Sequence, residues 1–329
     1  MMLTKKKFAI IINYFLIILI IILLNVQFDL LNSIHRMLTL NLFVIVGYFL
    51  FFFILQIFKG VRSTLLIERN VPYIDNLRLL SLGNMYNTLL PARAGDMYRA
   101  IGLSSVLSDS AKTPKTIGEG IALIALEKLM DMISLLIIGV VLFLSNTKIL
   151  QLTREIFFTF ALTLILITGF SIFLLSAKSG TIITKIVQLS VKKTLPERYS
   201  NHLLDVLASG RNTMYKELGT FKKMIILQLF SFLMVAGDLF LIYIVIVQYA
   251  SVLPALAILA GVVGFLAVVF PSLPAGMGPF QFGIAVVLFF GTNNLEVGVL
   301  SSTTDLFMRS TGYIVLGLIF LILHTRRSQ

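Results

Sequence analysis

The sequence predicts an all-α polytopic membrane protein, with about six full spans and two re-entrant Pro/Gly-broken hairpins arranged as an inverted repeat. Three observations lead there. The 329 residues are 58% hydrophobic and only 13% charged, with a mean hydropathy of +0.97, far from the balance of a soluble domain. Apolar runs of about 20 residues, long enough to cross a bilayer, recur along the chain. Finally, Leu90-Pro91-Ala92-Arg93-Ala94-Gly95 returns as Leu273-Pro274-Ala275-Gly276-Met277-Gly278, an LPAxxG element that interrupts apolar sequence in both halves. Paired breaks in two halves are the sequence mark of a transporter whose site lies between broken helices near the midplane.

Taken in order, full spans are expected at 8–26, 38–58, 119–145, 155–176, 224–249 and 299–323. The first follows Lys5, Lys6 and Lys7, but it is too long for a signal-peptide core and lacks a small-x-small cleavage site, so it is expected to be retained. Segments 76–105 and 254–291 each carry a break, and their arms are short for a crossing. Both are expected as re-entrant hairpins, which are tolerated at depth only where protein or a wet cavity surrounds the backbone. No stretch is long and polar enough for a soluble catalytic domain, so 1–329 is expected as one membrane domain. Its first repeat half is 38–145 and its second 224–323. Between them, 177–223 mixes Ile182, Ile183 and Ile186 with Lys185, Lys192 and Lys193, the pattern of amphipathic helices resting on a cytoplasmic lipid surface.

Charge orients these spans. Of 27 Lys and Arg, 22 fall in segments 1–7, 59–118, 177–223 and 324–329, against three, Arg36, Lys148 and Arg154, in the opposite loops. The positive-inside rule then places both termini in the cytoplasm of a plasma-membrane protein, with the first hairpin approaching from inside and the second from outside. The net charge of +12 reflects this bias and implies no nucleic acid.

Several chemistries are excluded by inventory. The chain has no cysteine, and its three histidines, His35, His202 and His324, form no HExxH or paired pattern, so no metal site is expected. There is no GxxxxGK[ST], and Gly276-Met277-Gly278 meets Gln281 where a dinucleotide fingerprint needs glycine. No cofactor is expected.

What remains is a set of ionisable groups within apolar segments, where a charge costs at least about 2.5 kcal/mol. Glu127 and Asp131 share a helix face, and Lys128 stands i,i+3 from Asp131, where it could neutralise it. Asp305 and Arg309 follow the second break by 31 and 35 residues, and Asp238 is a lone acid for which Arg309 is the candidate partner. Glu127 would lie about 12 Å into its span and Arg309 about 15 Å. Around the first break stand Asn84 and Asn87, then Arg93, Asp96 and Arg99. Beside Pro91, free backbone N–H groups and two arginines suit a phosphate, while the i,i+3 spacings of Arg93 and Asp96 and of Asp96 and Arg99 offer a capped, internally paired helix end as the competing account. The second break offers Pro274, Gly276, Gly278 and Gln281, with backbone as its resource. Two readings stay open at this point, a substrate site and a buried ion network joining the halves.

The run Asn87-Thr88-Leu89-Leu90-Pro91-Ala92-Arg93-Ala94-Gly95-Asp96-Met97-Tyr98-Arg99, the element Glu127-Lys128-Leu129-Met130-Asp131 and the run from Pro274 to Gly278 resemble the lysylphosphatidylglycerol synthase transmembrane-region, or flippase-like domain, family. The resemblance covers nearly the whole chain. Lys128 and Asp96 stand where the family often has arginine and glutamate. The resemblance implies a membrane domain that moves lipid between leaflets and in some relatives is fused to an aminoacyltransferase, a domain not expected before the chain ends at Gln329. The expected function is therefore a non-enzymatic translocase acting on an anionic phospholipid or a polyprenyl-phosphate-linked glycan. In it Arg93, Arg99 and the half-helix N-termini would hold phosphate, while Glu127, Asp131 and Asp305 would take a cationic group or a coupling proton. The alternatives are a polyprenyl-phosphate-dependent glycosyltransferase, against which no DxD pair occurs, and a scaffold for a partner lipid-modifying enzyme. A homo-oligomer is compatible with any of these.

Overall fold

A computed structural model describes residues 40–67, 71–90, 93–111, 117–145, 210, 221–268 and 276–327. The expected spans at 8–26 and 155–176, nearly all of the 177–223 loop, and Pro91 and Pro274 lie outside the described residues.

Eight helices and no strand occur among the described residues: α1 Leu42–Leu66, α2 Tyr73–Leu89, α3 Ala94–Ala111, α4 Ile117–Ser145, α5 Phe221–Ile246, α6 Pro254–Ala267, α7 Pro279–Thr292 and α8 Leu295–Arg327. Four of them, α1, α4, α5 and α8, are long and apolar enough to cross a membrane. The protein is thus an all-helical polytopic membrane protein, and these four helices occupy the places of four expected spans.

Local sequence explains the boundaries. Asn41 caps α1 by accepting from Phe43 N at 2.9 Å. Pro254 and Pro279 open α6 and α7 at a position where the missing N–H costs nothing. Helix α2 stops at Leu89 with Leu90 extended, as expected of a residue preceding proline. One boundary departs from the sequence reading. The span expected to end at residue 58 continues to Leu66, so Lys59 and Arg62, counted there as cytoplasmic loop residues, belong to α1. The α1 C-terminus is closed by Lys223 of α5, whose Nζ donates to the Leu66 carbonyl at 2.9 Å, a cation at the negative end of a helix.

Both expected hairpins are helix-break-helix units in which α2 packs on α3 and α6 on α7. Glycine permits the closeness. A Cβ on Gly95 would run into the Gly83 carbonyl, and one on Gly283 would sit 2.9 Å from Gly264 Cα. Each hairpin packs on the long helix that follows it, α3 on α4 and α7 on α8, while α1 packs on α5 and α2 on α8. Leu239, Leu259, Val262, Ile284 and Leu288 form one core and Leu79, Leu103, Leu123 and Leu126 another. Tyr48, Phe52, Leu241 and Met308 bridge α1, α5 and α8. Large side chains such as Phe43, Leu144, Leu233 and Phe282 face outward, an arrangement suited to lipid.

Candidate functional site

The two breaks meet. Arg93, in the turn between α2 and α3 at φ 53°, extends its guanidinium to the carbonyl of Val268, the C-cap of α6. Around this contact lies a cavity of about 340 Å³ lined by residues of both hairpins and of α1, α4, α5 and α8. Of the residues singled out in the sequence, Asn84, Asn87, Arg93, Asp96, Lys128, Asp131, Asp238, Gly276 and Arg309 line it. Lys128 is 11 residues into α4 and Arg309 14 into α8, about 17 Å and 21 Å along helices that span about 43 Å or more. The cavity therefore sits at mid-depth of those helices.

In and behind the cavity wall, carboxylates and cations are sorted into two clusters. In the first, Arg99 of α3 grips Glu127 of α4 with two parallel bonds of 2.6 and 2.8 Å and donates a third, 2.7 Å, to Ser63. Ser63 in turn donates to Asn76, which bonds Thr64. Arg62 of α1 pairs with Asp131 of α4, donates to Ser231 of α5 at 2.8 Å, and stands 4.0 Å from Glu127. In the second cluster Arg309 of α8 donates to Asp238 of α5 at 2.7 Å and to Asp305 at 2.9 Å. Lys59 of α1 takes the other Asp238 oxygen at 2.7 Å, and Tyr48 donates to Asp305 at 2.8 Å. The Arg309 guanidinium also lies 5.1 Å from the centre of the Phe265 ring on α6.

Two expectations are corrected by these contacts. Lys128 does not neutralise Asp131, because Arg62 reaches that carboxylate first and Lys128 points to the cavity. Arg99, Glu127 and Asp305 are buried in pairs and do not line the cavity, so the phosphate role expected of Arg99, and the cationic-group or proton role expected of Glu127 and Asp305, lack access to a ligand there. Asp238 does meet Arg309, as the sequence suggested.

The remaining residues shape the breaks. Asn87, at the end of α2, accepts from Asp96 N at 3.1 Å and donates to the Asp96 carboxylate at 2.8 Å, which ties the two arms together. Gly276 and Gly278 take φ of 82° and 89°, open only to glycine at low cost. Gln281 accepts from Gly278 N and donates to Thr303 on α8, anchoring the start of α7 outside the cavity.

Sequence reasoning missed Lys59, Arg62, Ser63 and Tyr48, and the lining residues Ser310 and Tyr313. A signal existed for two of them. Gln56, Lys59 and Ser63 recur at i, i+3 and i+7 across the expected end of the span, the period of a helix that continues.

The family described as Lysylphosphatidylglycerol synthase TM region matches residues 9–303 of this chain. No curated protein and no solved structure matches.

Proposed function

The chain belongs to the lysylphosphatidylglycerol synthase TM region family, and on that premise we propose that it moves a phosphate-bearing lipid, either an anionic phospholipid or a polyprenyl-phosphate-linked glycan, across the cytoplasmic membrane. The observation that carries this reading is a cavity with charged groups in its wall, shared by both broken hairpins at mid-depth among long apolar helices. Its volume, about 340 Å³, suits a headgroup and is far too small for a lipid's acyl chains, which would stay in the bilayer while the headgroup passes.

Alternating access needs two related arms, and the order of elements supports a repeat, whose inversion rests on the distribution of Lys and Arg. Helices α1 to α4 and α5 to α8 both run long helix, broken hairpin, long helix, and the packing of α2 on α8 is matched by that of α6 on α4. In this reading both termini face the cytoplasm.

Transport is favoured over glycosyl transfer by the state of the acids. The lining acids are all engaged, Asp131 by Arg62, Asp238 by Lys59 and Arg309, and Asp96 by the Asn87 amide, so none is free to activate an acceptor. The test is purified protein in liposomes with labelled lipid, reading leaflet distribution and product mass together. Redistribution at unchanged mass is expected. A change of lipid mass would make the protein an enzyme, and neither change would leave a scaffold.

A further inference from the structure

Six cations surround this cavity, and they are not equivalent. Lys59, Arg62, Arg99 and Arg309 are each bonded to a carboxylate. Arg93 and Lys128 line the cavity and pair with no carboxylate among the described residues. The one lining acid without a cation, Asp96, is held by the amide of Asn87. The charge available to a ligand is thus positive and comes from two elements, Arg93 on the turn of the first break and Lys128 on α4.

Arg93 carries a second constraint. Its only hydrogen-bond partner among the described residues is the Val268 carbonyl, at the C-terminal end of α6. That end bears the negative pole of a 14-residue helix, which attracts a guanidinium and repels an anion. A phosphate oxygen is also the stronger partner, since a charge-assisted bond is roughly twice as strong as one to a neutral acceptor. A phosphate drawn to Arg93 and Lys128 therefore competes with the α6 terminus for the same guanidinium, and the two bound states oppose each other electrostatically.

Resting on the translocase reading, we propose that Arg93 and Lys128 form the phosphate site of the cavity, and that Arg93 is a latch which leaves Val268 when the phosphate binds. Loss of that bond frees the end of α6 from the first hairpin, so headgroup arrival and parting of the two hairpins are one event. The preference is for a phosphate monoester or diester at the headgroup of a lipid.

The chain has no cysteine, so spin labels can be set at Met97→Cys on α3 and Phe282→Cys on α7, both exposed, one on each hairpin. Label distances are measured by pulsed electron resonance in an uncharged maltoside, with short-chain phosphatidylglycerol, glycerol 1-phosphate or short-chain diacylglycerol added. The expected result is a shift to longer distance with phosphatidylglycerol alone. Arg93→Gln should show the longer distance before any addition and no further shift, and Lys128→Gln should keep the shorter distance and lose the response. An Arg93→Gln protein that starts short and still responds overturns the latch. A response to diacylglycerol overturns the phosphate site, and an equal response to glycerol 1-phosphate overturns the lipid as its source. If nothing responds, the latch falls. Transport by the same labelled protein in vesicles then decides separately whether the translocase reading stands.

Discussion

Arg309 of α8 and Asp238 of α5 are 71 residues apart in sequence and 2.7 Å apart in space, and Lys59 completes the same carboxylate from α1. Asp238 therefore has two cations, whereas Asp305, fully buried, has only Arg309 and the Tyr48 hydroxyl among the described residues. Arg309→Ala should cost about 3–5 kcal/mol, the penalty for stranding a buried charge. Melting in detergent should show rescue by Asp305→Asn and little by Asp238→Asn. Better rescue through Asp238 would mean that Lys59 does not hold it.

Arg99 and Glu127 predict a different separation, between strut and site. Glu127→Gln strands Arg99 while Arg62 keeps Asp131, so about 3–5 kcal/mol of stability should be lost. Lys128→Gln, at a residue with no ion pair among the described residues, should change stability by no more than about 0.5 kcal/mol. Equal melting temperatures for the two variants would contradict the division.

The breaks make a steric prediction. Gly95→Ala pushes a Cβ into the Gly83 carbonyl and the Asn87 backbone, and overpacking of that kind costs about 1–3 kcal/mol or more. Gly278→Ala meets open space and is strained only by its backbone, φ 89° with ψ −80°, at about 1–3 kcal/mol. Folded yield should fall further for Gly95→Ala, and the reverse order would show that the arms of the first hairpin can part.

How much of this was legible in the sequence depends on the range of the interaction. The LPAxxG elements located both breaks because proline and glycine act on their own neighbours, whereas the bond from Arg309 to Asp305 went unread although the two stand i,i+4. The α1 partners of Asp131 and Asp238 lie 69 and 179 residues away, beyond any local rule. Charge counting also misled. Lys59 and Arg62 at the end of an apolar run look like cytoplasmic flanks, yet they are neutralised inside the helix bundle. Arg99, counted with them, was given to phosphate because nothing in its own neighbourhood reveals that Glu127 faces it.

Orientation is open to direct labelling. With Lys59, Arg62 and Arg99 taken up by ion pairs, the remaining loop cations still favour the cytoplasmic side for the α1–α2 connection. Single cysteines at exposed Ile74 and Asn294 should react with an impermeant maleimide from opposite faces of the membrane. Reaction from one face would contradict the inverted arrangement.

The central claim is that the cavity between the breaks carries a lipid phosphate, and one measurement addresses it most directly. Vesicles containing the purified protein and a trace of fluorescent phosphatidylglycerol are treated with an impermeant quencher, and the rate at which inner-leaflet lipid becomes quenched is recorded. Faster exchange than in protein-free vesicles is predicted. Arg93→Gln and Lys128→Gln should abolish it at equal amounts of folded protein. Unchanged exchange in both variants would contradict the account.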